Sequence, residues 1–196
     1  YAGQALPENA TIEEVIAQHM PLTEASARRR EVVAALRASG FQLFSDAGAR
    51  VGSPEEYVAS GIKVGCLSGG QRHLVYILAV LASRPRLLIA DEMLCGLDID
   101  RQVSVLRMLH ALQRQTELAI LYLTVDPLAA TLLAHDMTFL VDGRVVEQGT
   151  AADVFEMPQR AQTRRYLDDS LDLETRARGK GLRDAVFGAG SVFVYA

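Results

Sequence analysis

Apolar residues recur along this chain in two spacings, one typical of helices and the other of buried strands. A helical spacing is seen at Leu74, Val75, Ile77, Leu78 and Leu81. Residues 87–90 form a short run that is apolar at every position, which is typical of a strand covered on both faces of a parallel sheet. We therefore predict a helix followed by a buried strand in the middle of the chain.

Two further helices are predicted before this pair. Thr11 is followed three residues later by Glu14, the sequence of a capping box, so a helix should begin there. Residues 23–39 should form the second helix, with Thr23 as its N-cap and Gly40 at its C-terminal end. The glycine-rich residues that follow, up to Cys66, predict loops and a short helix around residues 55–60.

Helices and strands alternate after residue 98. The predicted elements are a helix over 100–115, a strand over 118–124, a short helix over 127–134, and strands over 137–141 and 144–147. Asp142-Gly143 lies between the last two strands and is a hairpin signal. Apolar strands that alternate with helices predict a parallel sheet covered by helices.

Composition and charge exclude several classes of protein. At 196 residues and 49% hydrophobic content, the chain can bury the core of one ordinary domain. No apolar run approaches the roughly 20 residues of a membrane-spanning helix, so we expect none. The net charge is −4, which gives no electrostatic case for a nucleic-acid partner. Two cysteines, Cys66 and Cys95, are too few for a disulfide framework and favour a reducing compartment.

Candidate chemistry lies at two places in the central pair of elements. Ser68 precedes two glycines and the predicted helix, so backbone N–H groups are bare where the helix dipole is positive, an arrangement that suits a phosphate. Asp91 and Glu92 end the predicted strand. Ligands of open α/β sheets bind beyond the carboxyl ends of the strands, so both carboxylates are candidate site residues.

Three motifs in this order resemble those of the nucleotide-binding subunits of ATP-binding-cassette (ABC) transporters. Residues 67–71 read LSGGQ like the family signature, residues 87–92 read LLIADE like the Walker B strand, and residues 96–98 read GLD like the D-loop. The resemblance implies a partial P-loop NTPase-type (RecA-like) α/β fold, with a parallel sheet covered by helices and an ABC-type helical subdomain. It also implies a division into three parts. These are a helical subdomain ending in the signature helix (1–83), the C-terminal part of the ATPase core (84–150) and a C-terminal tail (151–196).

The tail resembles one branch of the family. Residues 142–149 read DGRVVEQG, and the stretch after them is similar to that of dipeptide, oligopeptide and nickel importers. The matching positions in that stretch are Phe155, Pro158, Gln159, Thr163, Arg164 and Leu167. Residues 168–196 have no counterpart that we can place, and the apolar residues 192–195 have no evident partner.

The resemblance assigns roles to the signature and its neighbours. In the family, ATP lies between two such domains, so Ser68, Gly69, Gly70 and Gln71 would contact the γ-phosphate of ATP held on the partner. Asp98 would cross the dimer interface and help to couple the two sites. Gln4 is a candidate for the Q-loop glutamine, although its gap to the first helix is short for the family, and a solvated loop glutamine is the alternative. Residues 41–66 are longer than the family's usual connection, and we interpret the excess as a surface insertion.

The resemblance also assigns the hydrolytic residues. Asp91 would hold Mg²⁺, usually through water, and Glu92 would act as the general base on the attacking water. A switch histidine should follow the strand over 118–124, but the chain has Thr124-Val125-Asp126 there. His135 lies past the next helix, so we do not assign it that role.

Other departures from the family pattern also indicate weak or absent ATP hydrolysis. The only lysines are Lys63 and Lys180, and neither completes the phosphate-binding sequence GxxxxGK[ST]. Leu74 and Ala79 stand where the signature helix of the family usually has arginines, and Met93 stands where proline usually follows the glutamate. Loss of one transition-state contact can cost about 10²–10³ in rate, so these departures predict a weak or inactive half-site.

These observations predict the C-terminal part of an ABC importer ATPase of the peptide or nickel type, with ATP and Mg²⁺ as ligands. A front section carrying the P-loop would be missing, which agrees with a chain that opens on Tyr1. The partners would be a second cassette, identical or different, and a transmembrane permease, at the cytoplasmic face of the membrane. Two alternatives stay open, a degenerate regulatory half and a soluble cassette protein of chromosome maintenance or translation.

Overall fold

The computed structural model describes residues 6–21, 24–44, 50–170 and 193–195. Contacts divide the chain into two compact units. The first consists of Tyr1–Pro85 with Leu94–Met108, and the second consists of Arg86–Met93 with Leu109–Ala196. Among the described residues, no helix has the length and apolar character required to cross a bilayer.

The first unit is mainly helical. Its elements are α1 (Ile12–Ala17), α2 (Ala25–Ala38), β1 (Leu43–Phe44), β2 (Arg50–Val51), α3 (Pro54–Ala59), a 3₁₀ turn (Val64–Cys66), α4 (Gly69–Ala82) and the first part of α5 (Ile99–Gln115). Helix α1 packs against α4 and α2, and α2 packs against α3. Helices α1, α2 and α4 each contribute fully buried side chains, among them Ile16, Leu36 and Leu74.

Helix starts in this unit follow the predicted sequence signals in most cases. The Thr11 hydroxyl accepts from the Glu14 N–H while the Glu14 carboxylate accepts from the Thr11 N–H, which confirms the capping box of α1. Helix α2 begins at Ala25, and its N-cap is Glu24 with an extended backbone. The prediction of Thr23 as the cap is therefore wrong, and Thr23 itself lies outside the described residues.

The end of α2 is formed by a glycine, as predicted. Gly40 has φ +68°, a conformation that costs a residue with a side chain about 1–2 kcal/mol. Its N–H donates to the Arg37 carbonyl at 3.2 Å, and the Phe41 N–H donates to the Leu36 carbonyl at 3.1 Å. This pair of hydrogen bonds is a Schellman motif. The short β1–β2 hairpin that follows was not predicted, whereas the predicted short helix is α3.

The second unit is built on a five-stranded sheet. Its strands are β3 (Leu87–Asp91), β4 (Ala119–Leu123), β5 (Asp136–Val141), β6 (Arg144–Thr150) and β7 (Phe193–Tyr195), in the order β3-β4-β7-β5-β6. Among the strands that the structure describes in this sheet, β6 alone runs antiparallel to its neighbour. The helices of this unit are the rest of α5, α6 (Pro127–Leu133), α7 (Ala151–Glu156) and α8 (Ala161–Ser170). The predicted α/β class with a parallel sheet is confirmed.

Strand β7 occupies the middle of this sheet. Phe193 pairs with Leu121 of β4 on one side and with Asp136 of β5 on the other. A run of three residues carries too little periodicity to show which strands will flank it. The neighbours of β7 are therefore a finding of the tertiary structure.

Strand β3 is packed on one face only. Leu88 and Ala90 are buried, whereas Leu87 is 55% exposed and Ile89 is 61% exposed. The prediction of a strand covered on both faces is therefore wrong. An all-apolar run does not distinguish a strand with two covered faces from one whose second apolar face is open.

The β5–β6 hairpin confirms its turn signal. Asp142 and Gly143 have φ +51° and φ +72°, and Val141 pairs with Arg144 across the two-residue loop. Positive φ at both central positions is the type I′ turn, whose twist matches that of the flanking strands. The hairpin ends at the start of α7. Its second strand, β6, also carries the carboxylate that anchors the start of α8.

Candidate functional site

The signature segment opens helix α4, as predicted. Ser68 is the N-cap, and its hydroxyl accepts from the Gln71 N–H at 3.3 Å. The Gln71 side-chain oxygen accepts from the Ser68 N–H at 2.8 Å. This reciprocal pair is a capping box, so two of the five signature residues are used to start the helix.

The side chain of Gln71 faces inward. Gln71 is only 8% exposed, and its Nε2 donates to the Gln42 carbonyl at 2.8 Å. Both ends of the amide therefore have partners within this unit. In this structure Gln71 anchors the start of α4. Its contact with a phosphate stays a prediction.

The two signature glycines differ in the space around them. A Cβ atom at Gly69 would meet no atom within 4 Å, whereas one at Gly70 would lie 3.4 Å from the Gly96 carbonyl oxygen. The N-terminus of α4 is thus open at Gly69 and closely approached by backbone at Gly70. The N-terminus of a 14-residue helix fits an approaching phosphate.

The GLD segment, residues 96–98, lies beside the signature and directly precedes α5. The Asp98 carboxylate accepts from the Arg101 N–H at 3.0 Å and also pairs with the Arg101 guanidinium. Gln102 Nε2 donates to the Leu97 carbonyl at 3.0 Å. The segment is therefore held by the first turn of its own helix, and Asp98 stays largely open to solvent.

Replacing Ser68 by alanine is expected to lower the free energy of unfolding by about 0.5–2 kcal/mol, because alanine cannot accept the N–H bond of the first turn. Chemical denaturation followed by circular dichroism measures the change. Ser68→Gly is the matched control and should cost only a few tenths of a kcal/mol. Equal losses for both variants would contradict a capping role.

Asp91 and Glu92 lie at the carboxyl end of β3, where the sequence predicts them. Asp91 is the last residue of the strand and is exposed. The Glu92 N–H donates to the Leu123 carbonyl at 2.9 Å, which continues the pairing with β4 by one residue. The two carboxylates are thus positioned at the carboxyl end of the strands of a parallel sheet, which is where ligands of such sheets bind.

Glu92 is held in an unusual conformation. Its φ is +46°, which is sparsely populated by residues other than glycine and costs about 1–3 kcal/mol. Its Oε1 accepts from the Val125 N–H at 2.6 Å, and its Oε2 accepts from the Thr124 hydroxyl at 3.2 Å. Thr124 in turn accepts from the Asp126 N–H at 3.0 Å. The carboxylate is therefore oriented by the loop that follows β4.

Val125 takes part in this network only through its backbone. The residue is 73% exposed, and its side chain carries no polar atom. Its N–H bonds to Glu92, and its carbonyl accepts a hydrogen bond from the Tyr166 hydroxyl. The position that the family resemblance assigns to a switch residue thus lies beside Glu92 with its side chain directed to solvent.

Tyr166 is a site residue that sequence reasoning missed. It lies on α8, and its ring packs edge to face on Phe139 with centroids 5.2 Å apart. Burial raises the pKa of Tyr166, a hydrogen bond with Ser170 opposes the shift, and the carboxylates of Asp126 and Glu92 add to it. No local pattern marks this residue, because 41 positions separate it from Val125.

Helix α8 is anchored at its start by a carboxylate from β6. Glu147 accepts from the Gln159 N–H at 2.7 Å and from the Arg160 N–H at 3.2 Å. Burial alone would raise the pKa of Glu147, but Thr163 and the two backbone donors outweigh it, so the pKa lies below its ordinary value. The Thr163 hydroxyl has no partner at full hydrogen-bond geometry among the described residues, so the backbone donors define the anchor.

Glu147→Gln is expected to lower the free energy of unfolding at pH 7 by about 0.5–2 kcal/mol, the usual range for a lost helix cap. Because the pKa of Glu147 is lowered by folding, its contribution is present above the ordinary value of 4.5 and is lost as pH falls through the folded pKa. Denaturation at pH 7 and pH 3 should show a smaller difference from the parent at pH 3. Glu117→Gln, at an exposed ion pair with Arg86, is the control and should change little at either pH.

Two other predicted positions complete the account. Gln4 lies outside the described residues, so the structure says nothing of its role. His135 lies between α6 and β5, and its carbonyl accepts from the Ala151 N–H at 2.8 Å. It therefore lies past α6, as predicted.

Comparison with known proteins identifies relatives of this chain. No family model matches it. It is 35% identical over 156 residues to the uncharacterized ABC transporter ATP-binding protein YejF of Escherichia coli, a match that covers 80% of this chain and 27% of that protein. It is 32% identical over 115 residues to the oligopeptide transport ATP-binding protein OppF of Lactococcus lactis, covering 58% of this chain and 36% of that one.

A solved structure shares the fold. The dimeric structure of MJ0796, described as a bacterial ABC transporter cassette, matches with a TM-score of 0.55 and 21% sequence identity. The match covers 74% of this chain and 59% of that one. The chain spans only about a quarter to a third of the length of the two curated relatives above. By sequence it is similar to the ATP-binding proteins of ABC transporters, those of oligopeptide transport among them, and by structure it has the fold of an ABC cassette.

Proposed function

We propose that this chain is part of an ABC transporter ATP-binding protein that hydrolyses ATP to drive import of a peptide-type solute through a membrane permease. The observation that carries the proposal is the orientation of Glu92. It stands after Asp91 at the carboxyl end of β3, and both of its oxygens are held by the loop after β4. An ATPase of this kind needs a fixed carboxylate beside a metal-binding one.

The two carboxylates have separate proposed roles. Each oxygen of an ionised carboxylate has further acceptor capacity after one hydrogen bond, so Glu92 can still accept from a water molecule and act as general base. Asp91 is exposed and free to hold Mg²⁺ through water. Magnesium, when bound, neutralises charge on the phosphate oxygens.

The signature serves the partner's nucleotide in this proposal. Ser68, Gly69 and Gly70 present the start of α4 to the γ-phosphate of ATP held by a second cassette, identical or different. The open space at Gly69 supports this role. Gln71 contributes by holding that helix start, and Asp98 couples the two sites across the dimer.

The remaining parts of the proposal concern organisation and location. Residues 1–83, 84–150 and 151–196 would serve as helical subdomain, C-terminal part of the ATPase core and tail. The protein would lie at the cytoplasmic face of the membrane, bound to its permease. The match to OppF, whose name states oligopeptide transport, supports a peptide-type solute.

A regulatory half is the second candidate, and one observation favours it. The Val125 side chain is exposed and apolar, so it can neither donate to a phosphate nor orient a water molecule. A half of this kind would present its signature to a competent partner and contribute little turnover. The retained Glu92, held at both oxygens, favours the first candidate.

The first test uses the chain alone. Because its 196 residues contain no GxxxxGK[ST] sequence, isothermal titration with Mg-ATP should show no appreciable binding. The second uses a completed cassette, defined as this chain with a P-loop-bearing segment of a relative joined before Tyr1. Mixed with a competent cassette, it should bind Mg-ATP and form a nucleotide-dependent dimer.

Two results would count against the proposal. Micromolar binding of ATP by the isolated chain would mean that its nucleotide site lies outside these motifs. A completed cassette that folds but neither binds ATP nor dimerises with it would mean that the chain is not part of a working cassette.

A further inference from the structure

Helix α8 contacts the loop that orients Glu92. The Tyr166 hydroxyl donates to the Val125 carbonyl. The Val125 N–H in turn donates to Glu92 Oε1 at 2.6 Å. Both polar groups of the Val125 backbone are therefore engaged, one by the tail helix and one by the carboxylate. This connects a residue of the tail to the centre of the candidate site.

The contact comes from a helix that is itself fixed. Glu147 binds the backbone N–H groups of Gln159 and Arg160 at the start of α8, and the Tyr166 ring packs on Phe139 of β5. Leu167, the next residue, is buried. The Tyr166 hydroxyl is therefore presented from a rigid support and not from a free surface side chain.

The Val125 backbone needs such support. Val125 is 73% exposed, so its side chain contributes little packing that would hold the loop in place. Glu92 has φ +46°, a conformation that persists only where surrounding contacts impose it. If the Val125 peptide turns, its N–H leaves Glu92 and the carboxylate loses its shortest hydrogen bond.

We propose that Tyr166 is a positioning residue: its hydroxyl fixes the Val125 peptide and, through that peptide, the Glu92 carboxylate. The inference rests on the proposed function where it concerns hydrolysis, since Glu92 is the general base there. The tail thus sets the geometry of the hydrolytic carboxylate through the Val125 backbone. The contact itself belongs to this chain alone and can be tested without ATP.

The test measures amide exchange of Val125 in the intact 196-residue chain by NMR. Tyr166→Phe removes the hydroxyl and keeps the ring on Phe139. The expected result is exchange about five- to tenfold faster at Val125, the size of one net hydrogen bond, with amides elsewhere unchanged. Tyr57→Phe is the matched control, because it removes a hydroxyl that donates to the Gly52 carbonyl in the other unit and should leave Val125 unchanged.

Each outcome decides the inference. Faster exchange confined to Val125 and its neighbours, in Tyr166→Phe only, supports it. Unchanged exchange at Val125 overturns it, because the hydroxyl would then not hold the Val125 peptide. A uniform rise across the chain also overturns it, because the hydroxyl would then only contribute to global stability. Glu147→Gln, which loosens the start of α8, should move Val125 in the same direction as Tyr166→Phe.

A second readout connects the contact to hydrolysis. In the completed cassette with its partner, Tyr166→Phe should lower kcat about tenfold and leave KM for ATP unchanged, because the group it positions acts on water and not on nucleotide binding. If no form of the completed cassette hydrolyses ATP, the proposed function fails, and the exchange result still decides whether Tyr166 positions the loop. Unchanged kcat with faster exchange would overturn the link to Glu92.

Discussion

Replacing Val125 by histidine is expected to raise ATP turnover of the completed, partnered cassette by about ten- to a thousandfold. The Val125 backbone already lies beside Glu92, and its side chain points to solvent. An imidazole there could reach a bound phosphate, and one transition-state contact is worth about that factor. Steady-state phosphate release, with nucleotide binding measured separately, checks the result, since binding should change little.

Two further variants separate this explanation from others. Glu92→Gln should abolish the gain, because the histidine acts together with the general base. Val125→Ala, which shortens the side chain without adding a donor, should give no gain. The completed cassette without the substitution is the reference. If it already turns over ATP at a normal rate and Val125→His changes nothing, the assignment of position 125 as the switch position is wrong. His135 would then be the first residue to examine.

Leu88→Ala is expected to lower the free energy of unfolding by about 2–5 kcal/mol, the range for a buried leucine that leaves a cavity. Leu88 is 6% exposed on the packed face of β3. Its neighbour Ile89 lies on the open face, so Ile89→Thr, which keeps a β-branched side chain, should change stability by only about 0.5 kcal/mol. Urea denaturation followed by circular dichroism measures both.

The pair of variants tests the one-sided packing of β3. A loss for Ile89→Thr as large as that for Leu88→Ala would mean that a partner surface covers the open face in solution. In that case the predicted strand with two covered faces would be right for the assembled protein. A sedimentation measurement of the parent would then show whether a second copy provides the cover.

Local structure in this protein could be predicted where a few neighbouring residues are sufficient to specify it. The capping boxes at Thr11 and Ser68 each need only a residue and the one three positions later. The turn at Asp142-Gly143 needs only two residues that tolerate positive φ. For the same reason, the end of β3 could be placed at Asp91, and with it the candidate carboxylates.

Contacts between distant positions could not be predicted in this way. The pattern of β3 is apolar throughout, so it does not encode which face is covered. The three residues of β7 carry no sign of the two strands between which they lie. Gln71 belongs to a sequence that predicts a phosphate-binding signature. Its side-chain amide nevertheless donates to the Gln42 carbonyl, a partner that only the folded chain brings near.

The candidate site divides along the same line. Asp91 and Glu92 are marked by their place after a strand, because a strand's end is a local feature. The hydrogen bonds that orient Glu92 come from Thr124 and Val125, and the one that holds Val125 comes from Tyr166. Hydrogen bonds depend on distance and direction in space, and pairing β3 with β4 and docking α8 bring these groups together. The chemical groups are therefore local information, whereas their orientation is a property of the fold.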